Sequence, residues 1–433
     1  MNSVAFYLDN SKLPNTNFSQ PLDGNPGTGA TEYMTVLFGS QLSNQGINVT
    51  LYVTKQGNFP KNLDVKVVKG IRSAIDLASL KNQILVIRAY ISEFITILNY
   101  ISEIAELKII IWAHLTPSQI DLKVISRIEQ IKAIVCLENN QRVRMGDSLC
   151  ASKLFTIPYC ITGDTKSVDL TQDNNNVAYM GALVPQKGFH LLADAWPKVL
   201  EVFPDSQLFV LGSGNLYNSE IQLGEEKVAT KEFEKRIFKK LSKFEPSVKF
   251  LGNSNSKVRS EILDNCKLGI VNPSGQTETF CLSAVEFQQK GVPVIGARKF
   301  GLLDTVQHRR TGTLILNPSR LAYHIIQHLS DSNWNKKLGS NAQKFVLKEY
   351  ELESVIQRWV NLIYFISLPG EVSIHPKTRK MKIRSIQAIF CKLNYFIVRA
   401  TNGKWPTILE IFEFCKKFSR KVTAQIRILT RYR

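Results

Sequence analysis

Residues 272–298 read NPSGQTETFCLSAVEFQQKGVPVIGAR, in which the end of one apolar run is followed by a polar loop, a helical pattern and a second apolar run. The first apolar run ends at Pro273, and the helical pattern extends from about Phe280 to Lys290. The second apolar run, VPVIGA, follows at 292–297. A strand, a helix and a strand in this order predict a βαβ unit, in which a helix joins two parallel strands.

The same alternation extends over most of the chain. Short apolar runs rich in β-branched residues occur at 3–8, 47–53, 84–90, 108–115, 133–137, 176–181, 207–214, 248–252, 268–274, 292–297 and 313–316. Continuous apolar strands of this kind are typical of parallel sheets that helices cover on both faces. Because the polar stretch 163–176 divides the series, we expect an α/β fold with two doubly wound parallel-sheet domains, residues 1–165 and 175–350, that face a cleft.

The composition is that of an ordinary globular protein. Of the 433 residues, 44% are hydrophobic and 21% are charged, which excludes a disordered chain and a small disulfide scaffold. The first residues, MNSVAFYLDN, lack the basic start of a secretory signal, and no apolar run reaches the roughly 18 residues of a membrane-spanning helix. The seven Cys show no paired spacing, so we interpret them as reduced thiols and expect a cytoplasmic protein.

Positive charge is concentrated at the C-terminal end of the chain. Residues 377–433 carry 15 Lys and Arg against two Glu, a net charge of +13 out of +19 for the whole chain. Apolar residues recur there at three- and four-residue steps, with cations between them. Basic amphipathic helices lie in the plane of an anionic membrane surface. We therefore predict a helical extension that docks on the inner face of the cytoplasmic membrane; the alternative is that its apolar faces pack on the second domain.

Three groups of residues carry chemistry suited to a phosphate and a sugar. The stretch DGNPGTGATEY, residues 23–33, is a glycine-rich loop before a helix whose free N–H groups favour an anion. Lys187 lies in a loop before another helix and offers a point charge to a diphosphate. Glu278 and Glu286 are eight residues apart, so we expect them on nearly one helical face. The simpler interpretations are a plain turn, a solvated Lys, a helix cap at Glu278 and a solvated Glu286.

The joint order of these motifs resembles the retaining GT-B glycosyltransferases, specifically the large bacterial family 4. The matching elements are G-x-L-V-P-x-K-G at 181–188, VLGSG at 210–214, FLGN at 250–253, E-x7-E at 278–286 and GVPVIG at 291–296. The glycine-rich loop at 24–33 resembles that of the family's first domain. The resemblance covers most of residues 1–365 and implies the GT-B architecture, with two Rossmann-like domains and a helix at 351–370 that returns toward the first domain.

The resemblance also implies a donor site for a nucleotide sugar. Glu286 would hold the ribose hydroxyls of the nucleotide, and Glu278 the hydroxyls of the transferred sugar. Lys187 and the backbone N–H groups of residues 280–282 would hold the diphosphate, helped by the loop at 27–29. His114 corresponds to a His that the family often places near the donor sugar, although a lone His at a strand end is more often structural. The predicted catalytic residues are Glu278, His114 and Lys187. The predicted substrate-binding residues are Gly27, Thr28, Gly29, Gly181, Gly212, Gly214, Phe280, Cys281, Leu282 and Glu286.

The sequence departs from the family pattern in three places. The Arg that usually follows the glycine at 181 is Ala182, so a diphosphate contact is missing or comes from another cation, for which the candidates are Lys257, Arg298 and Lys299. Thr279 and Cys281 replace glycines that are common in the E-x7-E element. The family's I-P-N-G reads I-P-Y-C at 157–160, which puts the geometry of the interdomain hinge in doubt.

The implied reaction moves a sugar, with retention of anomeric configuration, from a UDP- or GDP-linked donor to a saccharide or lipid-linked acceptor in cell-surface or exported polysaccharide assembly. The sequence has no D-x-D triplet and no His/Cys ligand cluster, so we expect no metal and no cofactor. A nucleotide-sugar epimerase of GT-B fold and a non-catalytic nucleotide-sugar-binding protein stay open as alternatives. The overall charge also suggests nucleic-acid binding, but no nucleic-acid motif accompanies it, and we expect no such partner.

Overall fold

The computed structural model describes residues 3–13, 16–89, 93–163, 165–166, 168, 174–368 and 400–401. Within these residues the chain forms two parallel β-sheets, with a helix between most pairs of successive strands. The predicted α/β architecture of two doubly wound sheets is therefore confirmed. The predicted basic extension at 377–433 lies, apart from two residues, outside the described part of the chain. Among the described helices, none combines the length and the apolar character that crossing a membrane requires.

The first sheet has seven strands in the order β3-β2-β1-β4-β5-β6-β7. Its strands are β1 (Ser3–Leu8), β2 (Asn48–Val53), β3 (Asp64–Val67), β4 (Ile84–Arg88), β5 (Lys108–Ala113), β6 (Ile131–Cys136) and β7 (Leu154–Thr156). The helices are α1 (Ala30–Asn44), α2 (Ile71–Leu80), α3 (Phe94–Ser102), α4 (Gln119–Ser126) and α5 (Asn139–Met145). Successive residues of β1 point to opposite faces, so that Phe6 packs into one apolar core and Tyr7 into the other.

The sequence did not predict two strands of this sheet, β3 and β7. They have four and three residues, and no residue of the edge strand β3 is fully buried. In β3 charged residues alternate with valines (DVKV), and β7 (LFT) has only three residues, so neither strand produces an apolar run.

The second sheet has six strands in the order β10-β9-β8-β11-β12-β13. Its strands are β8 (Val177–Met180), β9 (Leu208–Leu211), β10 (Val248–Gly252), β11 (Leu268–Val271), β12 (Val294–Ala297) and β13 (Gly312–Ile315). The helices are α6 (Phe189–Leu200), α7 (Lys231–Leu241), α8 (Ser256–Leu263), α9 (Leu282–Gln289), α10 (Leu302–Thr305), α11 (Leu321–Ser330) and α12 (Ser332–Glu349). The four residues of β8, and likewise those of β11, are all buried, as expected for central strands covered on both faces.

Helix α9 begins at Leu282, two residues later than predicted. The Leu282 N–H donates to the carbonyl of Phe280 at 3.2 Å, so a tight turn precedes the helix. Glu278 therefore lies in the loop before α9, whereas Glu286 lies on the helix itself. The expectation that both carboxylates share one helical face was wrong. Glu278 does not cap the helix either, since the N-cap residue is Cys281.

The last described helix, α13 (Leu352–Ser367), follows the second domain in sequence but packs on the first sheet. Its Trp359 is fully buried, and its ring centre lies 6.0 Å from Phe6, 6.0 Å from Phe38 and 5.2 Å from Trp112. Burial of large aromatic rings contributes strongly to a core. Helix α13 thus ties the end of the second domain to the first.

Candidate functional site

The main cleft lies between the two domains, at the carboxyl ends of their strands. The first domain lines it with the loop between β1 and α1, and the second with the loops after β8, β9 and β11. Ten predicted residues line this cleft, namely Gly27, Thr28, Gly29, Gly181, Lys187, Gly212, Glu278, Phe280, Leu282 and Glu286.

The side chain of Asn25 shapes the glycine-rich loop of the first domain. Its Oδ1 accepts the backbone N–H groups of Gly27 and Thr28, each at 2.9 Å, and its Nδ2 donates to the Thr28 carbonyl at 3.0 Å. Two of the N–H groups expected to meet a phosphate are therefore already used within the loop. The N-terminus of α1, which begins at Ala30 and reaches the cleft, offers the remaining donors.

Lys187 and Glu278 form an ion pair in the cleft. Lys187 Nζ lies 2.9 Å from Glu278 Oε2, and the two side chains are 18% and 7% exposed. Burial alone would lower the pKa of Lys187, but the carboxylate of Glu278 outweighs it and raises the pKa above its ordinary value. Asn272 Nδ2 donates to the same Glu278 oxygen at 2.9 Å. One carboxylate oxygen is thus fixed, and within the described residues Oε1 accepts no hydrogen bond.

Glu286 forms the second ion pair of the cleft, with a residue that the sequence analysis missed. Arg259 Nη2, on α8, donates to Glu286 Oε1 at 3.0 Å. Of the candidates named to replace the Arg absent at 182, Lys257 is exposed and Arg298 faces a groove on another side of the domain. None of the three candidates lines the main cleft, Lys299 included, whereas Arg259 does and is the second cation of its lining.

The cleft thus combines two kinds of binding chemistry. The N-termini of α1 and α9 both reach it, and helix N-termini favour anions. Lys187 and Arg259 are its cations, and each is paired with a carboxylate that keeps one oxygen for a ligand hydroxyl. An arrangement of this kind can bind a phosphate-bearing ligand that also carries hydroxyl groups.

His114 lies in a side recess next to the main cleft, and the recess shares Lys187, Glu278 and Phe280 with that cleft. Its Nδ1 is 2.7 Å from the hydroxyl of Tyr159. Its buried Nε2 has no hydrogen-bond partner among the described residues. Burial, and then the charge of Arg88, lower the pKa of His114 well below its ordinary value, so the ring is neutral at pH 7.

Further polar groups line the same recess. Arg88 Nη2 bonds to Glu32 Oε1 at 3.0 Å, and Tyr217, which is 53% exposed, borders both the recess and the cleft. The sequence analysis gave these three residues no role. Glu32 lies in the quoted stretch 23–33, but its partner Arg88 is 56 residues away and Tyr217 belongs to no motif. A second substrate with hydroxyl groups would find hydrogen-bond partners here.

Two predicted binding residues do not line the main cleft. Cys281 is 2% exposed, and burial raises the pKa of its thiol far above the ordinary value, so the side chain is a packing residue. Gly214 is enclosed on the other side of its loop, where an added Cβ would lie 2.7 Å from Ala229 Cα. The burial of Cys281 concerns its side chain, whereas the predicted contact of this residue with a diphosphate is through its backbone N–H.

Comparison with known proteins finds a family model that matches part of the chain and solved structures that share its fold. A model of the family described as glycosyl transferases group 1 matches residues 163–345. An uncharacterized glycosyltransferase of Methanocaldococcus jannaschii is 26% identical over 209 residues, which are 47% of this chain and 48% of the relative. The poly(ribitol-phosphate) alpha-N-acetylglucosaminyltransferase of Staphylococcus aureus is 22% identical over 242 residues, 55% of this chain and 45% of the relative. The chain therefore spans about half the length of these relatives.

Among solved structures, the Anabaena protein HepE in complex with UDP and glucose superposes with a TM-score of 0.63 at 16% identity. The alignment covers 84% of this chain and 100% of that one. A likeness at this identity concerns the fold, and it extends over both domains. The match to the glycosyl transferases group 1 family thus falls on the second domain, and the chain has the GT-B fold.

Proposed function

We propose that this protein is a glycosyltransferase that moves a sugar from a UDP- or GDP-linked donor to a saccharide or lipid-linked acceptor. The main cleft is the donor site and the side recess is the acceptor site. The transfer retains the anomeric configuration, requires no metal ion, and serves the assembly of cell-surface or exported polysaccharide.

The Lys187–Glu278 pair carries this proposal. The 2.9 Å contact places a cation next to a carboxylate in the main cleft, whose lining also includes the first turn of α9. A leaving diphosphate gains negative charge during transfer, and a fixed cation and oriented N–H groups stabilise that charge. Glu278 Oε1 accepts a sugar hydroxyl and sets the orientation of the reacting carbon. Both demands of the reaction are met by residues that already contact each other.

The acceptor reacts from the side recess, which shares Lys187 and Glu278 with the donor site. The acceptor oxygen bonds to the anomeric carbon, the bond from that carbon to the diphosphate breaks, and the departing phosphate oxygen takes the acceptor proton. His114 is neutral and contributes a hydrogen bond to a sugar hydroxyl through Nε2. The Staphylococcus aureus relative is named for a polymeric acceptor, which supports a saccharide or a polymer as the acceptor class.

The experiment that tests the proposal is a screen of nucleotide sugars by thermal shift, followed by turnover with oligosaccharide and lipid-linked acceptors. We expect one donor to stabilise the protein and to release nucleoside diphosphate only when an acceptor is present. NMR of the product gives the anomeric configuration, and turnover in a chelator tests the requirement for metal. Conversion of the sugar without an acceptor would instead show an epimerase. Donor binding without turnover on any acceptor would show a binding protein.

We also propose that residues 377–433 hold the enzyme on the inner face of the cytoplasmic membrane. The supporting observation is their net charge of +13 combined with two apolar helical patterns. Each cation near anionic lipid contributes about 1 kcal/mol, so a few of them suffice for reversible binding. Co-sedimentation with anionic vesicles should be strong for the full chain, weak for a chain that ends at Ile374, and lost in high salt. Equal sedimentation of both chains would refute the docking.

A further inference from the structure

Arg259 contacts three different parts of the molecule although it is only 8% exposed. Its Nη1 donates to the Ser254 carbonyl at 2.6 Å, in the loop before α8. Its Nη2 donates to Glu286 Oε1 at 3.0 Å, on α9. The same Nη2 lies 3.2 Å from the carbonyl of Asn25, in the glycine-rich loop of the first domain. A single guanidinium therefore connects both domains with one carboxylate of the main cleft.

The surroundings of Arg259 form a close contact between the domains, which we call the interdomain clasp and define as residues 23–28 against residues 254–259. The Ser256 N–H also donates to the Asn25 carbonyl, at 2.9 Å. A Cβ added to Gly27 would lie 3.2 Å from the Ser254 carbonyl oxygen, and one added to Gly24 would lie 2.5 Å from Ser256 Cβ. These two glycines let the loop approach α8 closely enough for Arg259 to reach it.

The clasp determines how Glu286 is presented to a ligand. Arg259 holds Oε1, and among the described residues no donor bonds to Oε2, while the Glu286 side chain is 23% exposed to the cleft. A carboxylate fixed through one oxygen keeps its second oxygen in a defined direction. Without the guanidinium the carboxylate would rotate freely and would lie unpaired at the cleft wall.

We propose that Arg259 is a positioning residue that orients Glu286 toward the ribose hydroxyls of the nucleotide and makes that orientation depend on closure of the interdomain clasp. The ribose assignment rests on the proposed function, whereas the clasp does not. When the domains separate, Arg259 loses the Asn25 carbonyl, which belongs to the other domain. Nucleotide binding and domain closure then favour each other, because each one fixes the same guanidinium.

The test compares Arg259→Gln with wild type, using UDP against 2′-deoxy-UDP and GDP against 2′-deoxy-GDP in calorimetry. Wild type should prefer the ribose form of its cognate nucleotide by roughly 10-fold, the worth of a hydrogen bond to a charged group. In Arg259→Gln this preference should fall to near unity, and the donor KM should rise about 10- to 100-fold while kcat changes less than about threefold. Arg259→Lys should restore part of the preference.

Two controls separate orientation from general damage. Arg310→Gln removes the same type of side chain from an exposed turn and should leave the preference unchanged. Glu286→Gln should abolish the preference as well, and the double variant should lose no more than either single one, since both act through the same contact. An undiminished preference in Arg259→Gln, with wild-type KM, would overturn the inference.

A ligand-free measurement tests the clasp itself. Small-angle scattering should give a larger radius of gyration for Arg259→Gln than for wild type and for Arg310→Gln, because the domains open more often. Equal radii would overturn the clasp. If wild type binds no nucleoside diphosphate at all, the proposed function fails, and the scattering result still decides whether Arg259 closes the domains.

Discussion

Replacing Glu278 by Gln should slow sugar transfer without weakening the binding of nucleoside diphosphate. In the structure Lys187 Nζ lies 2.9 Å from Glu278 Oε2, so this carboxylate competes with a diphosphate for the ammonium group of Lys187. At that separation and an effective dielectric constant of about 20, the attraction between the two charges is about 6 kcal/mol before desolvation. Glu278→Gln removes that competition and leaves Lys187 available to the phosphates.

The expected effects follow from the two contacts of Glu278. Part of the released attraction is lost again to hydration, so the affinity for nucleoside diphosphate should stay equal or rise up to about 10-fold. Transfer should fall by about 100-fold or more, because the reacting carbon loses the carboxylate that orients the sugar. Lys187→Met should instead lower both, with diphosphate binding about 10- to 100-fold weaker, since a charge-assisted contact disappears.

The assay is isothermal calorimetry with nucleoside diphosphate alongside steady-state transfer, on both variants. Lys240→Met is the matched control, because Lys240 forms a 3.5 Å ion pair with Asp194 on the surface, where the side chains are 53% and 49% exposed. This variant should match wild type in both measurements. If Glu278→Gln weakened diphosphate binding as much as it slowed transfer, the competition between Glu278 and the phosphates would be refuted.

Three further outcomes are expected. Burial, and then the neighbouring carboxyl of Asp304, raise the pKa of Glu138 well above its ordinary value. The contribution of Glu138 to stability is therefore present in acid and lost as pH rises. The melting temperature should fall from pH 5 to pH 8, and it should fall by less in Glu138→Gln. Gly212→Ala would place a Cβ 2.1 Å from a backbone oxygen, whereas the Cβ in Gly46→Ala meets nothing within 4 Å. Chemical denaturation should therefore show a loss of unfolding free energy that is about 1–3 kcal/mol larger for Gly212→Ala than for Gly46→Ala. Because burial and a nearby Arg lower the pKa of His114, His114→Gln should reduce transfer by the same factor at pH 6 and pH 8, and a changing factor would show that the ring titrates there.

The sequence predicted the fold well because the fold rests on buried strands. The central strands β1, β4, β5, β8 and β11 are covered on both faces, and their apolar runs are visible without any knowledge of tertiary structure. The start of α9 was placed too early, because Phe280 and Cys281 are apolar and buried but lie in the turn before the helix. Burial of that turn gives it the same composition as the helix that follows.

The sequence alone predicted only those residues of the candidate site that lie in short local motifs. Lys187 and Glu278 lie in loops that directly follow strands, and such loops meet at one edge of the sheet. Arg259 is 27 residues from Glu286 and 234 from Asn25, so no local spacing relates the three. One signal was available. Arg259 stands one helical turn before the buried Leu263, and an arginine on the buried face of a short helix requires a partner.

Glu278 and Glu286 are each held by one cation. Both carboxylates of the eight-residue motif therefore belong to the cleft, although they do not share a helical face. Glu278 is fixed by Lys187 from the loop after β8, and Glu286 by Arg259 from α8. In each pair one oxygen is bonded to the cation, and the other accepts no hydrogen bond within the described residues. The eight-residue spacing therefore belongs to two separate ion pairs, one on either side of the first turn of α9. Because that turn separates the two ion pairs, a ligand whose phosphates lie against it can place one hydroxyl-bearing ring toward each carboxylate. A sugar joined to a nucleoside through a diphosphate has this layout.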